Sequence, residues 1–246
     1  MKGKTKPNER PSGGDTADLF GGKTGDLFGG DAVDEAAAEA PTTPTEATAV
    51  VHHDWAELKD AAAGCRECPL WEHATQTVFG EGPTKARLML VGEQPGDKED
   101  LRGRPFVGPS GALLDRAMQD LGWPREEVYV TNAVKHFKFE LQGSRRIHKS
   151  PAQKEALACL HWLESEIDLV RPTAIVALGA TAARSLMHRA VPVLANRGQW
   201  LQRDDGMRVL VTLHPSALLR GDPSEREAAY AQWLDDLRHV SGPVFG

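Results

Sequence analysis

Ala86-Arg87-Leu88-Met89-Leu90-Val91-Gly92 is the stretch on which the fold turns. It is apolar without alternation and closes on a glycine, the pattern of a strand buried on both faces of a parallel sheet. Three runs of the same kind follow: Val128 to Val134, Ala174 to Gly179, and Val209 to Leu213. Helical periodicity covers about 109–121, 151–170, 180–190 and 223–240, and upstream Asp54 is placed to cap a short helix ending near Ala63. Strands alternating with helices specify βαβ units. The expected architecture is a three-layer α/β/α sandwich around a central four-stranded parallel sheet.

Sheets of this kind bind ligands beyond the carboxyl ends of their strands. Here those ends read Gly92-Glu93-Gln94-Pro95-Gly96-Asp97, Asn132 to His136, Gly179-Ala180-Thr181, and His214-Pro215-Ser216. Three of the four carry ionisable or amide groups, so one active site is expected there. Gly92 and Gly96 allow a tight turn and a close backbone approach, while Glu93 and Asp97 offer carboxylates. The glycine spacing is neither the dinucleotide nor the P-loop fingerprint, which removes phosphate cradling by those devices.

The composition, 40% hydrophobic and 26% charged, is that of a soluble globular chain. No run approaches the roughly 18 apolar residues of a membrane span, and the polar start is not a signal peptide. A cytoplasmic, monomeric protein without membrane partners is expected. Residues 1–50 read as a disordered low-complexity tail and 51–246 as the folded domain. Within the tail, Asp18-Leu19-Phe20-Gly21-Gly22 recurs as Asp26-Leu27-Phe28-Gly29-Gly30, either a tandem docking motif or drift in a biased segment. The net charge of −6 does not announce a nucleic-acid binder, so any such surface must be local. Residues 135–149 supply one, with five basic residues against the single Glu140.

That patch ends in Gly143-Ser144-Arg145-Arg146-Ile147-His148-Lys149-Ser150-Pro151, which reads as a basic loop between strand and helix. Neighbouring cations disfavour imidazolium, and a neutral His148 is a nucleophile or a base. Arg145 and Arg146 suit a phosphate backbone. An ordinary solvated loop is the alternative. Phe106, in Arg104-Pro105-Phe106-Val107-Gly108-Pro109-Ser110-Gly111, is either a platform for a base or a plug for the core. Pro109 or Ser110 opens the next helix. In His214-Pro215-Ser216-Ala217-Leu218-Leu219-Arg220, His214 can donate where negative charge develops and Arg220 can reach a phosphate. Leu218 or Leu219 can wedge into a base stack.

Three cysteines complete the inventory, Cys65 and Cys68 as CxxC and Cys159 far downstream. In a cytosolic chain they favour a metal over a disulfide framework, and His136 is the candidate fourth ligand. Buried free thiols or a dithiol redox pair are the alternatives.

Together the motifs C-x-x-C-P-L, V-F-G-E-G-P, G-E-Q-P-G-D, P-F-V-G-P-S-G, T-N-A-V-K and H-P-S-A-L-L-R resemble the iron–sulfur (family four) uracil-DNA glycosylases over about residues 60–238. His136 where that family has cysteine, the inserted Arg145-Arg146-Ile147-His148 and Gln94 are similar to UdgX, the subgroup that bonds covalently to uracil-containing DNA. Ser144 stands where the subgroup commonly has lysine. The resemblance implies a uracil-DNA glycosylase-like fold acting on uracil in DNA. It implies a 4Fe–4S cluster of structural role on Cys65, Cys68, His136 and Cys159. Phe106 would stack on the flipped base, Asn132 would bond its Watson–Crick edge, and His214, in the motif with Ser216 and Arg220, would stabilise the departing uracil. The Glu93–Asp97 loop, with Gln94 in it, would face the sugar, and His148 would capture the DNA.

Overall fold

The computed structural model describes residues 54–246. The tail expected over 1–50, with its two repeats, lies outside the described residues. The first helix, α1 (Trp55–Ala63), is capped by Asp54, whose carboxylate accepts from the Glu57 amide. The four apolar runs form strands β1 (Leu88–Gly92), β2 (Val128–Asn132), β5 (Ala174–Leu178) and β7 (Arg208–Thr212), all parallel. The sheet is larger by one strand than expected. A short β6 (Gln199–Gln202) pairs antiparallel with β7, giving the order β2-β1-β5-β7-β6. β6 escapes the parallel-strand pattern because, as an edge, it reads Gln, Trp, Leu, Gln, polar at both ends instead of apolar throughout.

Alternation within the strands splits the core. Leu88, Leu90, Val130, Val176 and Leu210 face α3 (Pro109–Leu121) and α8 (Arg226–Phe245), where Trp233 and Leu237 are fully buried. Met89, Val91, Ile175 and Val211 face α4 (Gln153–Val170) and α5 (Ala180–Met187). Two helical layers therefore enclose the sheet, an α/β/α fold. The α3 helix buries Leu114, Ala117 and Met118 at helical spacing, starts on Pro109 and stops at Gly122 in the left-handed region. A third apolar cluster joins α1, the first half of α4 and the three cysteines.

The basic segment is not a loop. Phe139–Gln142 (β3) and Arg145–His148 (β4) form an antiparallel hairpin, with Phe139 opposite His148 and Leu141 opposite Arg146. Its two-residue turn is Gly143-Ser144, and Gly143 takes φ +62°, the conformation demanded at the first central position of a tight hairpin turn. The apolar alternation is masked by charge, which is why the strands read as loop. Two short helices complete the set before the last: α6 (Val193–Asn196) and α7 (Pro215–Arg220), while α2 (Asp97–Arg102) follows the first strand end. Among the described residues no helix is long and apolar enough to cross a membrane.

Candidate active site

The β1 and β2 tips lie in register, Gly92 beside Asn132. A side chain at Gly92 would collide with Asn132 Oδ1 and come within 2.7 Å of the Phe106 ring, so a bare glycine clears the space both need. Asn132 is 3% exposed and lines a cavity of about 490 Å³. Among the described residues nothing hydrogen-bonds its amide. A donor–acceptor pair left unspent in a near-buried position is able to pair with a bound ligand.

Phe106 lines the same cavity at φ +54°, a left-handed conformation that costs a non-glycine residue energy. The backbone of α3 holds it there: Gly111 packs so closely on the Phe106 carbonyl that no side chain would fit. The ring lies 6.3 Å from that of His214, near parallel at 29°. Phe106 is therefore at once packed against the first core layer and exposed to the cavity.

His214 caps α7. Its Nδ1 accepts from the Ser216 amide at 3.2 Å and lies 2.8 Å from the Ser216 hydroxyl, which itself accepts from Arg220 at 2.9 Å. Because Nδ1 is an acceptor, the proton of the neutral ring sits on Nε2. Burial, then the nearby His148 and Arg220, push its pKa down to about 4. His214 is a neutral donor near pH 7. Leu218 belongs to the core and cannot serve as a wedge, whereas Leu219 is only half-buried.

His148 ends β4 at the mouth, bordering both the Asn132 cavity and an adjoining one of about 630 Å³ that reaches Glu93 and Gly179. Its side chain is 47% exposed and its Nε2 lies 3.6 Å from Glu93 Oε1. The ring's pKa is lowered, chiefly by burial and further by Arg220, while Glu93 acts the other way. The hairpin's own arginines are not the cause, contrary to the expectation from sequence.

Arg146 is a tether. It donates to Asp97 Oδ1 and to the fully buried Asp100, each at 2.6 Å, and stacks over Phe137 and Phe139. This tethering is a role beyond the phosphate contact expected for Arg146, whose charge is matched here by two carboxylates. Asp97 is correspondingly drawn to the hairpin. Gln94 is likewise occupied: its amide donates to the carbonyls of Lys138 and Lys149 and accepts from the Lys138 amide, joining both strands at the hairpin's base. Arg145 stays exposed, without an ion pair among the described residues.

Cys65, Cys68 and Cys159 are all buried in the third cluster. Burial raises the Cys68 pKa, and pushes that of Cys159 up to about 12. Cys65 Sγ accepts from the Trp162 indole at 3.3 Å and Cys159 Sγ from the Lys135 amide at 3.2 Å. His136 offers the sharpest test of fit. The Thr77 hydroxyl donates to the Ala62 carbonyl, so it must accept from His136 Nε2–H, 3.0 Å away. That leaves a lone pair on Nδ1, which is buried without any partner. No three His, Cys, Asp or Glu side chains among the described residues converge tightly enough for a single metal ion. By donor chemistry, three buried thiols and one orphaned imidazole nitrogen suit iron–sulfur ligation.

The Uracil DNA glycosylase superfamily profile matches residues 79–238, a span that contains every strand-end group described above. The chain belongs to that superfamily. Among curated relatives, a type-4 uracil-DNA glycosylase of Thermotoga maritima is 39% identical over 162 residues, covering 65% of this chain and 81% of the relative. Those of Pyrobaculum aerophilum (37%; 68% and 85% covered) and Sulfurisphaera tokodaii (34%; 66% and 74% covered) carry the same description.

Sequence reading missed several partners within this superfamily member, and Lys135, counted there in the basic patch, is fully buried and cannot meet DNA. It pairs with the equally buried Glu166 at 2.6 Å, and the ammonium also donates to the Asn132 carbonyl at 2.7 Å. Glu166 further accepts from Gly80, Tyr129 and Thr131, so one network pins the strand tip that carries Asn132. Asp100 and Thr181, which donates to Glu93 Oε2 at 2.9 Å, were equally silent. Nothing in a linear pattern marks partners 31 to 88 residues apart.

Proposed function

We propose that this protein excises uracil from DNA, preferring single strands, and retains the DNA by bonding the sugar C1′ to His148. The observation that carries the reading is a neutral-leaning imidazole at the mouth of the cavity lined by Asn132, Phe106 and His214, with Glu93 beside it. Its relatives bear the name uracil-DNA glycosylase, which supports the excision half.

A base must leave the stack before its glycosidic bond is reached, at a cost of a few kcal/mol that is least in single strands. Phe106 offers the flipped ring a face, and the free amide of Asn132 can pair with its Watson–Crick edge. As the C1′–N1 bond breaks, its electron pair departs on the uracil, and His214 Nε2–H stabilises the anion. The sugar is left as an oxocarbenium-like cation. A ring nitrogen of His148 then donates its lone pair to C1′, and the proton on the other nitrogen passes to Glu93, leaving a neutral N-alkylated imidazole. A well-placed group reaches effective molarities of roughly 10⁵–10⁸ M, against water on the order of 50 M, so imidazole captures the cation first. The adduct has no ready hydrolysis, which makes the enzyme self-inactivating after one turnover. Arg145 and Arg220, both exposed, would meet phosphates.

Cys65, Cys68, Cys159 and, through Nδ1, His136 would hold a 4Fe–4S cluster. When bound, its irons, ligated by these thiolates and the imidazole, would tie the CxxC segment, α4 and the end of β2 together. The reading predicts that mixing with uracil-containing single-stranded DNA yields a denaturation-resistant species of raised mass, one equivalent at most. Uracil release with free abasic DNA accumulating beyond one equivalent refutes the capture step.

A further inference from the structure

We infer that Thr181 is a positioning residue for the capture step, acting through Glu93. The inference rests on the reading of His148 as the capturing group. Glu93 follows β1 directly and its carboxylate meets two elements. One oxygen, Oε2, accepts from the Thr181 hydroxyl in the first turn of α5 at 2.9 Å, and the other, Oε1, lies 3.6 Å from His148 Nε2. A carboxylate on a three-bond side chain turns freely unless one oxygen is fixed. A hydrogen bond to one oxygen fixes the group and turns the other oxygen towards the imidazole.

The local backbone makes the approach possible. Gly179 precedes α5 at φ +93°, and a Cβ there would stand only 3.1 Å from the His214 Cβ. The tight passage brings α5 against the same segment that carries His214, so Thr181 faces the reaction side of the sheet. The neighbouring catalytic groups are unaffected by its hydroxyl, because His214 is held by Ser216 and the hairpin by Gln94 and Arg146. Thr181 thus acts on the proton acceptor and not on base recognition.

The test measures uracil released and adduct formed, side by side, from a uracil-containing single-stranded oligonucleotide. Thr181→Val keeps the shape and removes the donor; Thr181→Ser keeps the donor. We expect adduct formed per uracil released to fall on the order of tenfold in Thr181→Val, the loss of one charge-assisted hydrogen bond, with abasic DNA appearing instead. Thr181→Ser should restore the parent ratio. A parent-like ratio in Thr181→Val, or equal impairment in Thr181→Ser, overturns the inference while leaving capture by His148 standing. A parent protein that releases uracil and forms no adduct overturns the capture reading, and this inference with it.

Discussion

The base pocket and the capture hairpin meet at one cavity, yet they are held in place by different physics. Asn132, Glu93 and His214 stand on the tips of strands buried on both faces, so their positions are set by the two hydrophobic layers beneath. The β3–β4 hairpin stands outside those layers. Gln94 grips its base, Arg146 ties its second strand to Asp97 and Asp100, and Lys138 pairs with Glu155. A two-stranded ribbon is marginal alone. On the proposed reading, recognition would rest on core packing and capture on a few polar tethers, and the two should therefore fail separately.

The largest expected break is His148→Ala. It should abolish the adduct in a denaturing gel, and His148→Gly, by admitting water to C1′, should let abasic DNA accumulate past one equivalent. Lys135→Met attacks the other side. It strands the buried Glu166 carboxylate, which should cost about 3–5 kcal/mol of stability by denaturant unfolding and disturb Asn132 with it. Arg146→Ala leaves Asp100 buried without its cation, at about 2 kcal/mol or more. Its signature should be a loss of adduct larger than the loss of uracil release, since only the tether is cut; equal losses would erase the distinction between the two regions.

Acid sharpens the comparison more gently. His214 is held at about 4 against an ordinary value near 6.5. Between those values the unfolded chain binds a proton that the folded chain refuses, so this contribution to stability is full above about pH 6.5 and is lost as pH falls towards 4. His148 is also lowered. Uracil release should thus persist to pH 5, and adduct formation should survive below the pH at which an ordinary histidine is protonated. Rates measured from pH 4.5 to 8 decide it. The smallest effect belongs to Ser144→Lys. The tip is exposed and away from the cavity lining, so stability should move within about 0.5 kcal/mol, with any gain confined to salt-sensitive DNA affinity.

Legibility in the sequence followed the same divide. Leu88–Gly92 and its three sister strands announce themselves because burial on both faces demands uninterrupted apolar residues, and the strand-end rule then locates Glu93, Asn132 and His214. β6 was missed because an edge strand need not be apolar throughout. The hairpin read as a loop because its tethers are remote: Arg146 finds Asp97 and Asp100 only 49 and 46 residues back. Gln94 and Arg146 were read as substrate contacts alone because their protein partners, which add a tethering role, are remote in sequence. Leu218 lies one helical position from a plausible wedge, and only the packing of α7 shows it to be core.

The chain's three cysteines, all buried, have a practical consequence when set beside the exposed turn at Gly143-Ser144, where a Cβ on Gly143 would touch nothing within 4 Å. The outer surface of the described residues carries no thiol. A cysteine introduced at Ser144 would be singly addressable by a maleimide dye, a few residues from His148, the proposed capturing group. The hairpin would then report its own encounter with uracil-containing DNA as a change in fluorescence, and a signal that survives denaturation would mark the proposed adduct.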